Sequence, residues 1–196
     1  MNNFYNKKTI IFATLISEGL LLLIWFIWHK TINQLINFNL DFRALYLSIL
    51  FTLPLIILNF IIFTKARRPE FKKFINSYVL PLCDSLNLSM IIFVAIIAGV
   101  CEELFFRDFL LQFTKNYLGE FIAIIISSLA FSAIHFVNKI KEYFLIFVIY
   151  FFIGIYFALI VKFTNNITIA IITHSLYDFL AILLLKSSKI RRLICK

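Results

Sequence analysis

The chain is poor in the residues that punctuate soluble folds. Its 196 residues include three cysteines, four glycines and three prolines, and only 15% are charged. The cysteines, Cys83, Cys101 and Cys195, are odd in number and lack metal-ligand spacing, which speaks against a disulfide framework or a zinc finger. Cys195 is next to last rather than fourth from the end, so the tail carries no prenylation signal of its own. No repeat and no low-complexity segment is present. Acidic residues are scarce, 10 against 19 lysines and arginines, for a formal charge of +9. The basic residues sit in loops and form no continuous basic face, so nucleic acid is not expected as a partner.

What the chain has in excess is apolar side chains. They make up 62% of it, with a mean hydropathy of +0.97, where soluble domains hold about 45–50%. Six stretches approach the roughly 20 residues that a helical span needs: 9–28, 44–63, 88–113, 121–137, 143–161 and 167–185. The expected fold is therefore all-α, a polytopic transmembrane bundle of about six spans forming one membrane domain. The first stretch is not read as a cleavable signal, because its apolar run is too long and no small-residue cleavage site follows it. Lysines and arginines concentrate at 7–8, 65–73, 139–141 and 186–196. By the positive-inside rule both termini and the second and fourth loops face the cytoplasm. The expected location is the cell (plasma) membrane, with anionic lipid as a partner of the basic loops. The abundance of Phe, Ile, Asn and Lys points to a bacterial source.

Within this frame, 1–87 reads as two helices and a basic loop, 88–185 as a four-helix core, and 186–196 as a basic tail. The loop segment from Lys65 to Phe74 mixes cations and aromatics and suits the headgroup layer. Pro54 should kink the second helix, and Pro81 should interrupt any helix before Leu88. The third stretch reads either as one continuous helix or as one broken near Gly99 or just after Arg107.

The ionisable residues inside these stretches need an explanation, since a charge in lipid is costly unless it pairs or lines a wet cavity. The third stretch carries Glu102-Glu103-Leu104-Phe105-Phe106-Arg107. Glu103 and Arg107 share a helix face and can pair. Glu102 points about 100° away and needs another partner. This divides the roles into a brace, Glu103–Arg107, and a reactive carboxylate, Glu102. The fourth stretch carries Phe131 and His135 on one face. The sixth carries His174 and Asp178 on one face, where the carboxylate can orient the imidazole or bind the same ligand. Counting 1.5 Å per residue from the non-cytoplasmic loops places Glu102 about 22 Å down, His135 about 27 Å, Asp178 about 20 Å and His174 about 13 Å. These residues can converge on one cavity open to the cytoplasm, with His174 the outlier. Glu18, inside the first stretch, reads as a packed interface residue in preference to a partner of Arg107 or of another site residue.

Glu-Glu-x-x-x-Arg, then Phe-x-x-x-His, then His-x-x-x-Asp on successive apolar helices resembles the CPBP (CAAX protease and bacteriocin-processing, or Abi) family of intramembrane endopeptidases. The resemblance covers about half the chain, from Ile91 to Leu185. It implies that Glu102 and His135 activate a hydrolytic water, that His174 and Asp178 complete the site, and that Glu103 and Arg107 support it. Two positions depart from the family pattern: Asp108 stands where glycine commonly follows the arginine, and Asp178 where asparagine is common. An ionised aspartate cannot donate to an oxyanion as asparagine does, so Asp178 stays protonated, orients His174 or helps hold a metal.

Two hydrolytic mechanisms are open at this point. One is metal-free, with Glu102 as base. The other is a metalloprotease in which His135, His174 and Asp178 hold zinc. The substrate expected is a protein or peptide, such as a lipidated tail or a leader peptide. The rival readings are a non-proteolytic immunity or scaffold protein of the same family, and a proton or cation transporter.

Overall fold

The computed structural model describes residues 6–31, 37–65, 69–137, 139–187 and 191, and for 63–65 the backbone alone. Among the described residues there is no strand. Helix α1 (Lys7–His29) and α2 (Phe42–Lys65) precede a shorter helical run: α3 (Pro69–Phe74), a π turn (Ile75–Val79) and α4 (Leu80–Ser85). Next come α5 (Leu88–Glu103), a second π turn (Leu104–Leu110) and α6 (Leu111–Leu118). The chain closes with α7 (Glu120–His135), α8 (Phe144–Thr164) and α9 (Ile167–Lys186).

Side-chain caps start these helices where the sequence turns polar. The Asn87 and Asn166 side chains accept from the backbone N–H of Met90 and Thr168, each at 3.0 Å, which supplies partners for donors no helix can satisfy internally. Gly119, at φ +81°, joins α6 to α7. Asn165, at φ +49°, takes the left-handed conformation between α8 and α9.

Five helices among the described residues are long and apolar enough to cross a membrane, and Glu120–His135 is a shorter apolar one. At 1.5 Å per residue its 16 residues reach about 24 Å, short of a 30 Å hydrocarbon core. The predicted stretch 121–137 therefore falls short of a full span. The helix stops at His135 because the chain turns at Phe136, which is buried against Phe71, Tyr143 and Ile146.

Of the two readings open for the third stretch, the structure has the continuous one: it runs unbroken from Leu88 to Leu118 and absorbs a π turn. The helix from Pro69 to Ser85 likewise continues through Pro81, contrary to the expected interruption. The π turn just ahead widens the backbone where the proline ring would crowd the preceding turn. Helix α2 also runs on through Pro54. Phe71 and Ile75 of the 69–85 run are buried while Lys72 and Lys73 are exposed. The run is amphipathic, although residues 66–68 of the basic segment lie outside the described residues.

Packing inside lipid cannot rest on the hydrophobic effect between helices, and small or hydroxyl residues take over. Ser48 and Thr52 on α2 reach the carbonyls of Ile169 and Thr173 on α9 at 3.3 and 3.4 Å. Gly99 lets α5 cross α9 against Ser175 and Ile171, and Gly154 lets α8 lie on the Ser128 backbone of α7.

Candidate active site

The site is built around the second π turn. Leu111 donates its backbone N–H to Phe106, five residues back, and the same carbonyl accepts from Ser127 Oγ on α7 at 2.6 Å. Single π turns inside α-helices commonly mark functional positions. Here the widened turn turns Glu102, Glu103, Arg107 and Asp108 all into the protein interior.

Arg107 has no exposed surface. Its Nη1 lies 3.2 Å from Glu103 Oε1, and its Nη2 donates to the Gly154 carbonyl at 3.2 Å. Its guanidinium sits near the rings of Phe106, Phe131 and Phe157, 4.5 Å from the Phe131 centroid. A weakly hydrated, planar cation suits such an aromatic surround better than a lysine ammonium does.

Glu103 has a second partner that the sequence did not reveal. Its Oε1 lies 2.8 Å from His174 Nδ1, so one carboxylate oxygen joins Arg107 to the imidazole. The other ring nitrogen, Nε2, faces Asp178 Oδ2 at 3.6 Å. Phe157 stacks on the His174 ring, with centroids 4.7 Å apart and planes 22° apart. The imidazole is thus fixed in plane, rotation and depth. Counting residues made His174 too shallow to meet the others. In the structure its ring nonetheless meets Glu103.

Glu102 makes a separate pair. Its Oε1 stands 3.8 Å from His135 Nε2, beyond a direct hydrogen bond and within reach of a bridging water. His135 Nδ1 lies 2.8 Å from the Phe131 carbonyl. A carbonyl only accepts, so Nδ1 carries the proton and Nε2 is the atom turned to Glu102. The His135 side chain is 28% exposed where Glu102 is 9%, which places the imidazole at the solvent-accessible edge. His135 and Asp178 line a cavity of about 410 Å³. Its walls come from α2, α8 and α9, and Phe71, Phe74 and Tyr78 cover it. Lys139 bonds Tyr78, and Lys73 pairs with Glu142 at 2.7 Å, so two contacts tie the amphipathic run to the loop before α8.

Glu18 is buried on α1, where Ser17 Oγ donates to its Oε1 at 3.3 Å. It does not meet Arg107. It lies instead within electrostatic reach of Glu102, His174 and Asp178. Asp108, fully buried, accepts the indole N–H of Trp25 at 2.7 Å. The one trace of this contact in the sequence was an acid where glycine is common.

The donor set does not fit zinc. Among the described residues no three of His, Cys, Asp and Glu are grouped so as to hold a metal ion. No step is routed through a metal below.

The family of Rce1-like type II CAAX prenyl endopeptidases matches residues 84–180, about half the chain. No curated protein and no solved structure matches. The matched segment contains Glu102, Glu103, Arg107, His135, His174 and Asp178. The chain belongs to the CPBP and CAAX protease family, and helices α1 and α2 lie outside the match.

Proposed function

We propose that this chain is an intramembrane endopeptidase whose nucleophile is a water held between Glu102 and His135. The observation that carries the reading is the 3.8 Å separation of Glu102 Oε1 and His135 Nε2, with His135 lining the cavity. A water there donates one proton towards each group. Glu102 takes a proton as the water oxygen attacks the scissile carbonyl, and returns it to the departing amine. His135, held by the Phe131 carbonyl, orients the water. His174, gripped at Nδ1 by Glu103, donates from Nε2 to the oxyanion. Before substrate binds, that Nε2 proton faces Asp178, and the oxyanion then replaces the carboxylate as its acceptor. Arg107 neutralises Glu103 and keeps it in place. The geometry favours this metal-free route over the zinc route.

The catalytic unit is the core 88–185. The basic runs near 65–73, 139–141 and 186–196 support a plasma-membrane orientation with both termini and the cavity mouth on the cytoplasmic side. The substrate is a protein or peptide whose cleaved bond reaches that mouth.

The test is cleavage of internally quenched peptides by the detergent-purified chain. The panel holds a farnesylated C-terminal CAAX peptide, its unlipidated twin and a double-glycine leader peptide. Cleavage of any of them that is lost in Glu102→Gln and survives chelator supports the reading. Chelator-sensitive cleavage with one equivalent of bound zinc would replace it with the metalloprotease. Cleavage that persists in Glu102→Gln removes the glutamate from the mechanism. A wild-type chain that cleaves nothing but moves protons across liposomes, with that flux lost in the same variant, would favour a transporter.

A further inference from the structure

Helix α1 presents one buried face to the catalytic helix. Glu18, Leu21, Trp25 and Trp28 recur at three- and four-residue spacing, the period of a helix seam. The other faces of α1, including Phe12, Leu20, Leu23 and Ile27, are exposed. The seam runs alongside α5 and the π turn in the same direction. Glu18 is within electrostatic reach of Cys101 and Glu102. Seven residues on, Trp25 bonds Asp108. Trp28 then packs on Phe109, with ring centroids 5.3 Å apart.

The polar contact in this seam calls for a reason. A carboxylate with no exposed surface is costly to bury, and packing alone would accept a small apolar residue there. That carboxylate is Asp108. It directly follows Arg107 in the chain, inside the turn whose geometry aims Arg107 at Glu103 and Glu103 at His174. We propose that Trp25 and Asp108 form a positioning clasp. Through it α1, a helix outside the family-matched residues, holds the π turn in the form that fixes the Glu103–His174 hydrogen bond. Trp25 is a positioning residue: it acts through Asp108 and Arg107 and touches no reacting atom. The claim rests on the reading of Glu103–His174 as part of the active site.

The chain is suited to a direct test, because it has three histidines and two tryptophans. The full chain in detergent micelles, labelled with ¹⁵N in its histidine rings and indoles, gives few signals to assign. The Trp25 indole N–H is expected to be shifted downfield and slow to exchange. Trp25→Phe and Asp108→Ala should each move the His174 ring signals; His29, whose ring centroid lies 4.7 Å from that of Trp25, moves with the phenylalanine variant in any case and is not the reference. Asp108→Asn keeps an acceptor, and Trp25→His keeps a ring N–H. Both should retain the wild-type His174 signals, and they serve as folded references if the harsher variants fail to fold.

In the peptide assay, Trp25→Phe and Asp108→Ala should lower kcat about 10- to 100-fold with KM nearly unchanged, the scale of a small misplacement. The double variant should be no worse than either single one. His174 signals that stay fixed when Trp25 loses its N–H would overturn the clasp, as would losses that multiply in the double variant. Cleavage surviving in Glu102→Gln would instead strike at the active-site reading, and the histidine signals would still judge the clasp.

Discussion

Gly99→Ala offers a sharp test of how α5 and α9 meet. The added methyl would lie 2.9 Å from Ser175 N and 3.0 Å from Ile171 O, and would also run into Ser175 Oγ. The hydroxyl can rotate away, but the other two atoms are backbone of α9. Ordinary contact starts near 3.4 Å, so α9 must retreat from α5 by several tenths of an ångström. His174 precedes Ser175 and moves with it. Its 2.8 Å bond to Glu103 then stretches towards or beyond the 3.2 Å limit of a sound hydrogen bond. Overpacking of this kind costs about 1–3 kcal/mol, and the loosened imidazole should lower kcat about 10- to 100-fold. The measurements are the midpoint of unfolding in mixed micelles and the rate of peptide cleavage. Adding Ser175→Ala removes only the hydroxyl clash, so it should not rescue the variant. A Gly99→Ala chain with wild-type stability and wild-type rate would refute the claimed crossing and the dependence of His174 on it.

Other consequences are equally measurable. Glu102→Gln should reduce cleavage at least about 100-fold, the lower range for a lost general base, with protein level and unfolding midpoint unchanged. Arg107→Met leaves Glu103 buried without its cation, and should destabilise the chain by about 3–5 kcal/mol, read from denaturant midpoints. Burial pushes the Cys83 thiol up to about 11, so maleimide at pH 7.5 should spare Cys83 in the folded chain and label it after unfolding in detergent. The Lys73 ammonium holds the Glu142 carboxyl below the usual carboxylate range. Its contribution is therefore present at neutral pH and fades as pH falls through that lowered value. Both partners are exposed to solvent and salt, so Glu142→Gln at physiological salt should leave the unfolding midpoint unchanged.

The all-helical membrane fold follows from the sequence alone, because spans of about 20 apolar residues have one way to satisfy their backbone in lipid. Pairing along one helix was equally legible: Glu103 with Arg107, and His174 with Asp178, follow from four-residue spacing. Contacts between helices were not. That Glu103 rather than Glu102 meets His174 depends on how α5 and α9 pack, which no spacing rule encodes. The third stretch runs unbroken to Leu118, and the run from Pro69 continues through Pro81, each with a π turn of its own. The contact of Trp25 with Asp108 joins residues 83 positions apart, and no local period encodes it. Sequence determined which groups had to be removed from lipid, since an unpaired charge there is too costly to leave. Tertiary structure alone decided which group answers which, because that depends on how closely α5, α7, α8 and α9 approach, and glycines and a widened turn set that approach.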